Sequence, residues 1–390
     1  MRAGIGAVGL PAGADFRKAG TARYAFQIIE GLATADPESE FHVYVAHDFP
    51  RPSEWHQPNI ILHPVTKYRA HWALGGMKAK VAGYDLWFAP VYEVNRASWV
   101  PQCAMIHDLF PLTNPEWFSE PDLSRAREAI DRSCRKAKLL LANSEDTKQR
   151  ILERYGGKPD RIVVTPLGPG NVEPAIPASR VSDRELFATG IPERTGLDAG
   201  RSESSPDWRP MPPAPYVFTL GTLEPRKNIP ALIEAFALVK QERPDLILAI
   251  GGGKGWGEGP IFEQVQRLGL VDSVVFLGYV KDADLPKLFA RSECFAMASL
   301  AEGFGIPVLE AMHYGAPVAC SDLGALREVC GDLAVYFDPS NPRSIAQSLL
   351  NRLDGDRQGV IEAGFARAQT FTWQKTATLT LEAMKKFLAR

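Results

Sequence analysis

The chain has 390 residues, 45% of them hydrophobic and 23% charged, the proportions of a water-soluble globular protein with length for two separate cores. A formal net charge of −2 argues against a general nucleic-acid binder, which carries a basic surface. The five cysteines (Cys103, Cys134, Cys294, Cys320 and Cys330) are odd in number and form no C-x-x-C pair, which argues against a disulfide framework or a structural zinc site and fits a reducing compartment.

Along the chain, short apolar runs alternate with amphipathic helical patterns, the mark of a parallel sheet wrapped by helices. Met1–Leu10 is too short and glycine-rich for a signal peptide and predicts a first strand over 2–9. Further strands are predicted over 41–46, 59–63, 85–89, 102–106, 138–142 and 161–165, with helices over Tyr24–Ala33 and Arg125–Lys136. Residues 172–215 are rich in proline, serine and charge and read as a connector with a short helix over Asp183–Ala188. The pattern then restarts, with strands over 216–220, 246–250, 273–277, 293–297, 316–320 and 334–337. Helices are predicted near 229–242, 259–268, 283–291, 307–314 and 342–353. A last helix, Trp373–Arg390, offers Leu379, Met384, Phe387 and Leu388 as its apolar contacts.

The expected fold is α/β, two doubly wound Rossmann-like domains facing across a cleft, with ligand at the carboxyl ends of the strands. The boundaries are an N-terminal domain over 1–171, the connector over 172–215, a C-terminal domain over 216–372, and a helix over 373–390 packing back on the N-terminal domain. No apolar run reaches the roughly 18 residues of a membrane span. A cytoplasmic protein is expected, with room for peripheral contact at the inner membrane face.

In the first half, Gly13 and Gly20-Thr21 flank a polar loop, Ala14 to Ala19, that runs into a helix N-terminus able to close over a phosphate. His107-Asp108 ends a strand. A lone histidine is ordinarily a satisfied structural residue, but here His107 can hydrogen-bond a substrate hydroxyl or phosphate, with Asp108 to orient it. Asn143-Ser144 reads as a cap for the helix over Glu145–Arg154. A loop over Lys67–Lys80 carries Tyr68, Arg69, His71 and Trp72, a solvated loop or a platform for an acceptor sugar or membrane.

In the second half, Gly221 to Asn228 places two cations just after a strand. Arg226 can fork across phosphate oxygens, Lys227 can act as a point charge, and Asn228 would cap the next helix. Gly251-Gly252-Gly253, continuing as Lys254-Gly255-Trp256-Gly257, fits neither the P-loop nor G-x-G-x-x-G and reads mainly as permission to turn. Asp282-Ala283-Asp284 has the form of a metal-holding pair, but its place before Leu285, Leu288 and Phe289 makes Asp282 an N-cap and Asp284 a first-turn carboxylate. No other cluster has metal-ligand spacing, and G-x-S-x-G is absent.

The richest stretch is Glu302-Gly303-Phe304-Gly305-Ile306-Pro307-Val308-Leu309-Glu310, two carboxylates eight residues apart around a Gly-x-Gly and a proline. The glycines permit a sharp turn, and Pro307 suits the first turn of a helix, whose N-terminus favours an anion. Glu302 and Glu310 can both accept hydrogen bonds from hydroxyls. Diphosphate plus polyol is the outline of a nucleotide sugar.

These residues together resemble the retaining glycosyltransferases of family 4, with the GT-B fold, and bacterial polysaccharide mannosyltransferases in particular. The likeness covers nearly the whole chain and is carried by Gly221–Asn228, Gly278-Tyr279-Val280 to Asp284, the E-x7-E pattern of Glu302–Glu310, His107-Asp108, Ala142-Asn143-Ser144 and Val164–Gly168. It implies that Glu310 binds the ribose hydroxyls and Glu302 faces the donor sugar, with Gly303, Phe304, Gly305, Ile306, Val308 and Leu309 beside them. It implies too that Arg226 and Lys227, near Gly221, hold the departing diphosphate. Gly20 and Thr21 would cover the phosphate, and His107 would touch the donor; the family's usual glycine pair is here a single Gly20 between Ala19 and Thr21. The implied reaction moves a hexose, first among them mannose from GDP-mannose, onto a glycan or lipid-linked acceptor, without metal or cofactor; the nucleotide sugar is a substrate. A non-hydrolysing nucleotide-sugar epimerase and a non-catalytic nucleotide-sugar-binding protein are the competing readings.

Overall fold

The structure, a computed structural model, describes residues 1–10, 20–65, 83–91, 94, 99–118, 120–170, 212, 215–253, 255 and 259–390. The Gly13 to Ala19 loop, the Lys67–Lys80 platform, the short helix over Asp183–Ala188 and the residues Lys254, Trp256 and Gly257 lie outside them. The chain divides into two compact units, Met1–Gly170 with Phe371–Arg390, and Asn171–Thr370.

The first unit is built on β1 (Arg2–Gly6), β2 (Glu40–Ala46), β3 (Ile60–Val65), β4 (Leu86–Ala89), β5 (Gln102–Ile106), β6 (Leu139–Ala142) and β7 (Ile162–Val164). They form one parallel seven-stranded sheet in the order β3-β2-β1-β4-β5-β6-β7. Every residue of β4, β5 and β6 is buried, which is why these strands read as unbroken apolar runs rather than as an alternation. β1 stops at Gly6, short of the predicted 9, because Leu10 N–H turns back to the Ala7 carbonyl at 3.1 Å. The helix Gly20–Ala35 buries Tyr24, Ile28, Ile29 and Leu32 and begins before the apolar pattern does.

The helix Trp373–Leu388 belongs to this first unit. Its buried face is Thr376, Ala377, Thr380, Leu381, Ala383 and Met384, so of the predicted contacts only Met384 is in the core, and small residues bring the helix close to Gly20–Ala35. Thr376 Oγ1 donates to the Pro166 carbonyl at 2.5 Å, and Lys385 Nζ pairs with Asp36 at 2.7 Å.

The second unit repeats the plan with β8 (Tyr216–Leu220), β9 (Ile247–Gly251), β10 (Val274–Gly278), β11 (Cys294–Met297), β12 (Val318–Ser321) and β13 (Val335–Phe337). Its parallel six-stranded sheet has the order β10-β9-β8-β11-β12-β13. In both sheets the winding reverses beside the first strand, at β1/β4 and at β8/β11, and such a switch point opens a crevice at the strands' carboxyl ends. Phe218, Phe289 and Phe295 pack edge to face at 5.2–5.8 Å in the second core, each burial contributing about 1.5–3 kcal/mol.

Two helices of this unit, Gly324–Cys330 and Arg357–Ala368, escape the sequence pattern. The second is interrupted by Gly359 and Gly364, yet it carries a start signal, Asp356, whose side chain accepts from Gly359 N–H at 3.1 Å. Asp282 is not the N-cap expected of it: the helix Leu285–Arg291 starts after Asp284, which occupies that position without a side-chain capping bond.

Candidate functional site

The carboxyl end of β8 runs through Gly221 into the single 3-10 turn Pro225–Lys227, and that of β11 into the loop ending at Gly305. These two connections flank the switch point of the second sheet. Arg226 ties them together along its whole length: its carbonyl accepts from Leu300 N–H at 2.8 Å, and its Nη1 donates to the Ala301 carbonyl at 3.0 Å.

At the tip lies a compact charge cluster. Glu302 Oε1 receives Lys227 Nζ at 2.7 Å and Arg226 Nη1 at 2.9 Å. The other arm of the guanidinium, Nη2, meets Glu224 Oε1 at 2.6 Å. Glu302 is 8% exposed, and burial alone would push its carboxyl up; Arg226 and Lys227 outweigh that and hold it at about 2. It is therefore a permanent acceptor with no proton to give at neutral pH. Lys227 is moved down by burial and by Arg226, against the pull of Glu302. Its aliphatic stem lies over Gly221, where a Cβ would come within 3.1 Å of it.

Asn228 takes the N-cap position expected of it, but not in the expected way. It holds the left-handed conformation (φ 54°) and makes no side-chain cap; its amide instead donates to the Pro339 carbonyl at 2.8 Å. Asparagine tolerates that conformation better than most residues, and the twist lets the 3-10 turn pass directly into the helix Ile229–Glu242. The glycine run after β9 serves the same turn. Gly252 has φ 146°, and a Cβ there would lie 1.8 Å from the Gly221 carbonyl oxygen, so only glycine lets the two strand ends pack.

The helix Ile306–His313 starts from Gly305, whose φ of 106° excludes other residues and whose Cβ would sit 2.5 Å from Leu326. Pro307 lies in the first turn. Val308 and Leu309 are fully buried, and both their N–H groups turn to the Gly305 carbonyl, so they support the loop from within. Phe304 is buried, Gly303 and Ile306 are half-buried, and Glu310 is buried one turn into the helix at 5% exposure. The structure thus places Arg226, Lys227, Glu302 and the Gly303–Glu310 stretch in one region of the second unit.

In the first unit, His107 follows β5 at the sheet's carboxyl edge. Its Nε2 bonds the Pro90 carbonyl at 3.0 Å, and its ring meets Tyr24 edge-on at 4.9 Å. Burial lowers it to about 4, so it is neutral at pH 7, with Nε2 as donor and Nδ1 as acceptor. Its orienting partner is Pro90, whereas Asp108 accepts from Phe110 N–H at 3.1 Å and starts a helical turn. Asn143 and Ser144 divide their labour: Ser144 caps its helix by accepting from Thr147 N–H, and the Asn143 amide holds the His107 carbonyl at 2.9 Å. Gly20, exposed, and Thr21, half-buried, open the helix Gly20–Ala35.

Two contributors escaped the sequence. Glu224 gave no signal beyond an acidic residue before a proline, and Asn143 was absorbed into a capping pair. Among the described residues no group of histidine, cysteine, aspartate and glutamate side chains could hold a metal ion, and no helix is long and apolar enough to cross a membrane. All five cysteines are free and buried.

The two-sheet architecture is that of the GT-B glycosyltransferases. HepE of Anabaena, solved with UDP, superposes with a TM-score of 0.68 at 21% identity over 99% of this chain and 100% of that one. Sucrose-phosphate synthase of Thermosynechococcus elongatus gives 0.68 at 20% identity over 100% and 99%. The sequence matches the family described as Glycosyltransferase Family 4 over residues 19–168 and that described as Glycosyl transferases group 1 over 201–364. The O-antigen chain mannosyltransferase B of Escherichia coli is 30% identical over 329 residues, 83% of this chain and 78% of that protein. The serotype-specific mannosyltransferase WbdA of Escherichia coli is 29% identical over 75% of this chain, which spans only 34% of WbdA. The chain belongs to the group 1 and family 4 glycosyltransferases, and it is a transferase enzyme. That membership favours transfer over epimerisation or passive binding.

Proposed function

We propose that this enzyme transfers mannose from GDP-mannose to a glycan or lipid-linked acceptor in the synthesis of a bacterial surface polysaccharide, with retention of anomeric configuration. The observation that carries the reading is the convergence of Arg226 and Lys227 on Glu302 at the switch point of the second sheet, in a chain similar to a mannosyltransferase. In this reading the two cations meet the diphosphate and stabilise the charge that develops as it departs, the largest electrostatic demand of the reaction. Glu310 accepts from the ribose hydroxyls. Glu302, ionised and neutralised by two cations, accepts from a hydroxyl of the donor sugar and is poorly suited to attack carbon or to donate a proton.

His107 serves as a neutral hydrogen-bonding group toward the donor, fixed from behind by Pro90 and Asn143. Gly20 and Thr21 approach the phosphate from the start of their helix. Counter-charge comes from side chains, so transfer proceeds without an added divalent ion and without a cofactor. The acceptor is bound by the first unit, which leaves peripheral attachment to the inner membrane face open to a lipid-linked acceptor.

The test is a thermal-shift panel of GDP-, UDP- and dTDP-sugars followed by transfer to short mannosides. Specific binding raises the melting temperature by mass action, so GDP-mannose should give the largest shift and a mannosylated product with retained configuration. A larger shift with another donor would refute the mannose assignment, and an inverted product would refute retention.

A further inference from the structure

We propose that Glu224 is a positioning residue that sets how tightly the enzyme grips the nucleoside diphosphate, by acting as the resident counterion of Arg226. This rests on the reading that Arg226 and Lys227 meet the diphosphate. Glu224 is extended (φ −127°, ψ 154°), and Pro225 then starts the 3-10 turn, which brings the side chains of residues 224 and 226 together. The guanidinium is shared between two acids, Nη2 on Glu224 at 2.6 Å and Nη1 on Glu302 at 2.9 Å, with the Ala301 carbonyl on Nη1 as well. Lys227 meets the same Glu302 oxygen at 2.7 Å.

The four side chains are two cations and two carboxylates, and their formal charges cancel. A diphosphate therefore meets a neutralised cluster, not two bare cations. That has a use: a site strong enough to stabilise a leaving diphosphate also tends to retain it as product, and release then limits turnover. Glu302 is shared between Arg226 and Lys227, whereas Glu224 meets Arg226 on the other guanidinium arm, so Glu224 completes the counter-charge of Arg226 when the diphosphate leaves and no half-buried cation is stranded.

The experiment measures GDP binding, with UDP in parallel, by calorimetry on the wild type, E224Q and E224D at low and high salt, alongside kcat and KM. Gln keeps an acceptor for Nη2 and removes the charge. Its expected effect is diphosphate binding about tenfold tighter, as one nearby charge is worth in a partly screened site, with a lower kcat. The gain should shrink at high salt, and E224D should restore wild-type affinity. A merely structural role would weaken binding in E224Q, so a folded E224Q with equal or weaker affinity overturns the proposal. Should E224Q not fold, the wild type still decides: a neutral cluster predicts shallow salt dependence of GDP binding, and a steep dependence overturns it. If the wild type binds neither GDP nor UDP, the nucleotide-sugar reading fails first, and this proposal with it.

Discussion

The two sheets repeat one winding, yet their carboxyl ends follow opposite electrostatic rules. In the second unit charge is kept: Glu302 stays ionised in a buried place because Arg226 and Lys227 lie within 3 Å of the same oxygen. In the first unit charge is refused: His107 is buried against Tyr24 with only a carbonyl on Nε2, and it stays neutral. Pairing preserves an ion in a dry site, whereas burial without a pair removes it.

Removing a cation should give the largest effect. Lys227→Ala is expected to reduce transfer by about 10²–10³-fold in kcat, the usual loss when one preorganised donor to a developing charge is deleted. Steady-state kinetics on folded protein checks this, and near-normal turnover would break the assignment of charge chemistry to the second unit.

Acid should separate the two rules. His107 has a folded value near 4 against 6.5 when exposed, so the unfolded chain takes up a proton that the folded one resists. Stability from this site is complete above pH 6.5 and declines as pH falls toward 4, by about 3 kcal/mol at roughly 1.4 kcal/mol per unit. Glu302 loses its contribution lower, between its ordinary 4.5 and about 2. Urea midpoints across pH should show the upper loss in the wild type and not in His107→Gln. An unchanged slope in that variant would place the upper loss elsewhere.

Smaller effects sharpen the picture. Glu310→Ala should weaken GDP binding about tenfold, the worth of a hydrogen bond to a charged group, as calorimetry on folded protein would show. Asn228→Ala should lower stability by about 1–2 kcal/mol through its left-handed backbone, and Asn228→Gly should recover part of that. Removal of divalent ions with EDTA should leave transfer unaltered; activity restored only by added metal would contradict a site that supplies its counter-charge from side chains.

Strand positions were legible because a doubly covered sheet demands continuous apolar runs, as in Leu139–Ala142, and such runs survive any detail of packing. The Glu302–Glu310 loop was legible because its glycines and proline are required by local backbone geometry, seen in Gly305 at φ 106°. What could not be read was partnership across the chain. His107 finds Pro90, just past the neighbouring strand, and Asn228 finds Pro339, 111 residues away. Glu224 is a different case. It is adjacent in sequence, but its meaning depends on Arg226 folding back toward the loop after β11, which no local pattern encodes.

The return of the chain to its first unit also fixes an order of events during synthesis. Thr376 and Lys385, which secure the last helix to Pro166 and Asp36, emerge from the ribosome after every residue of the second unit. The first sheet is translated early, but the helix that covers it is supplied only once the second unit has been translated.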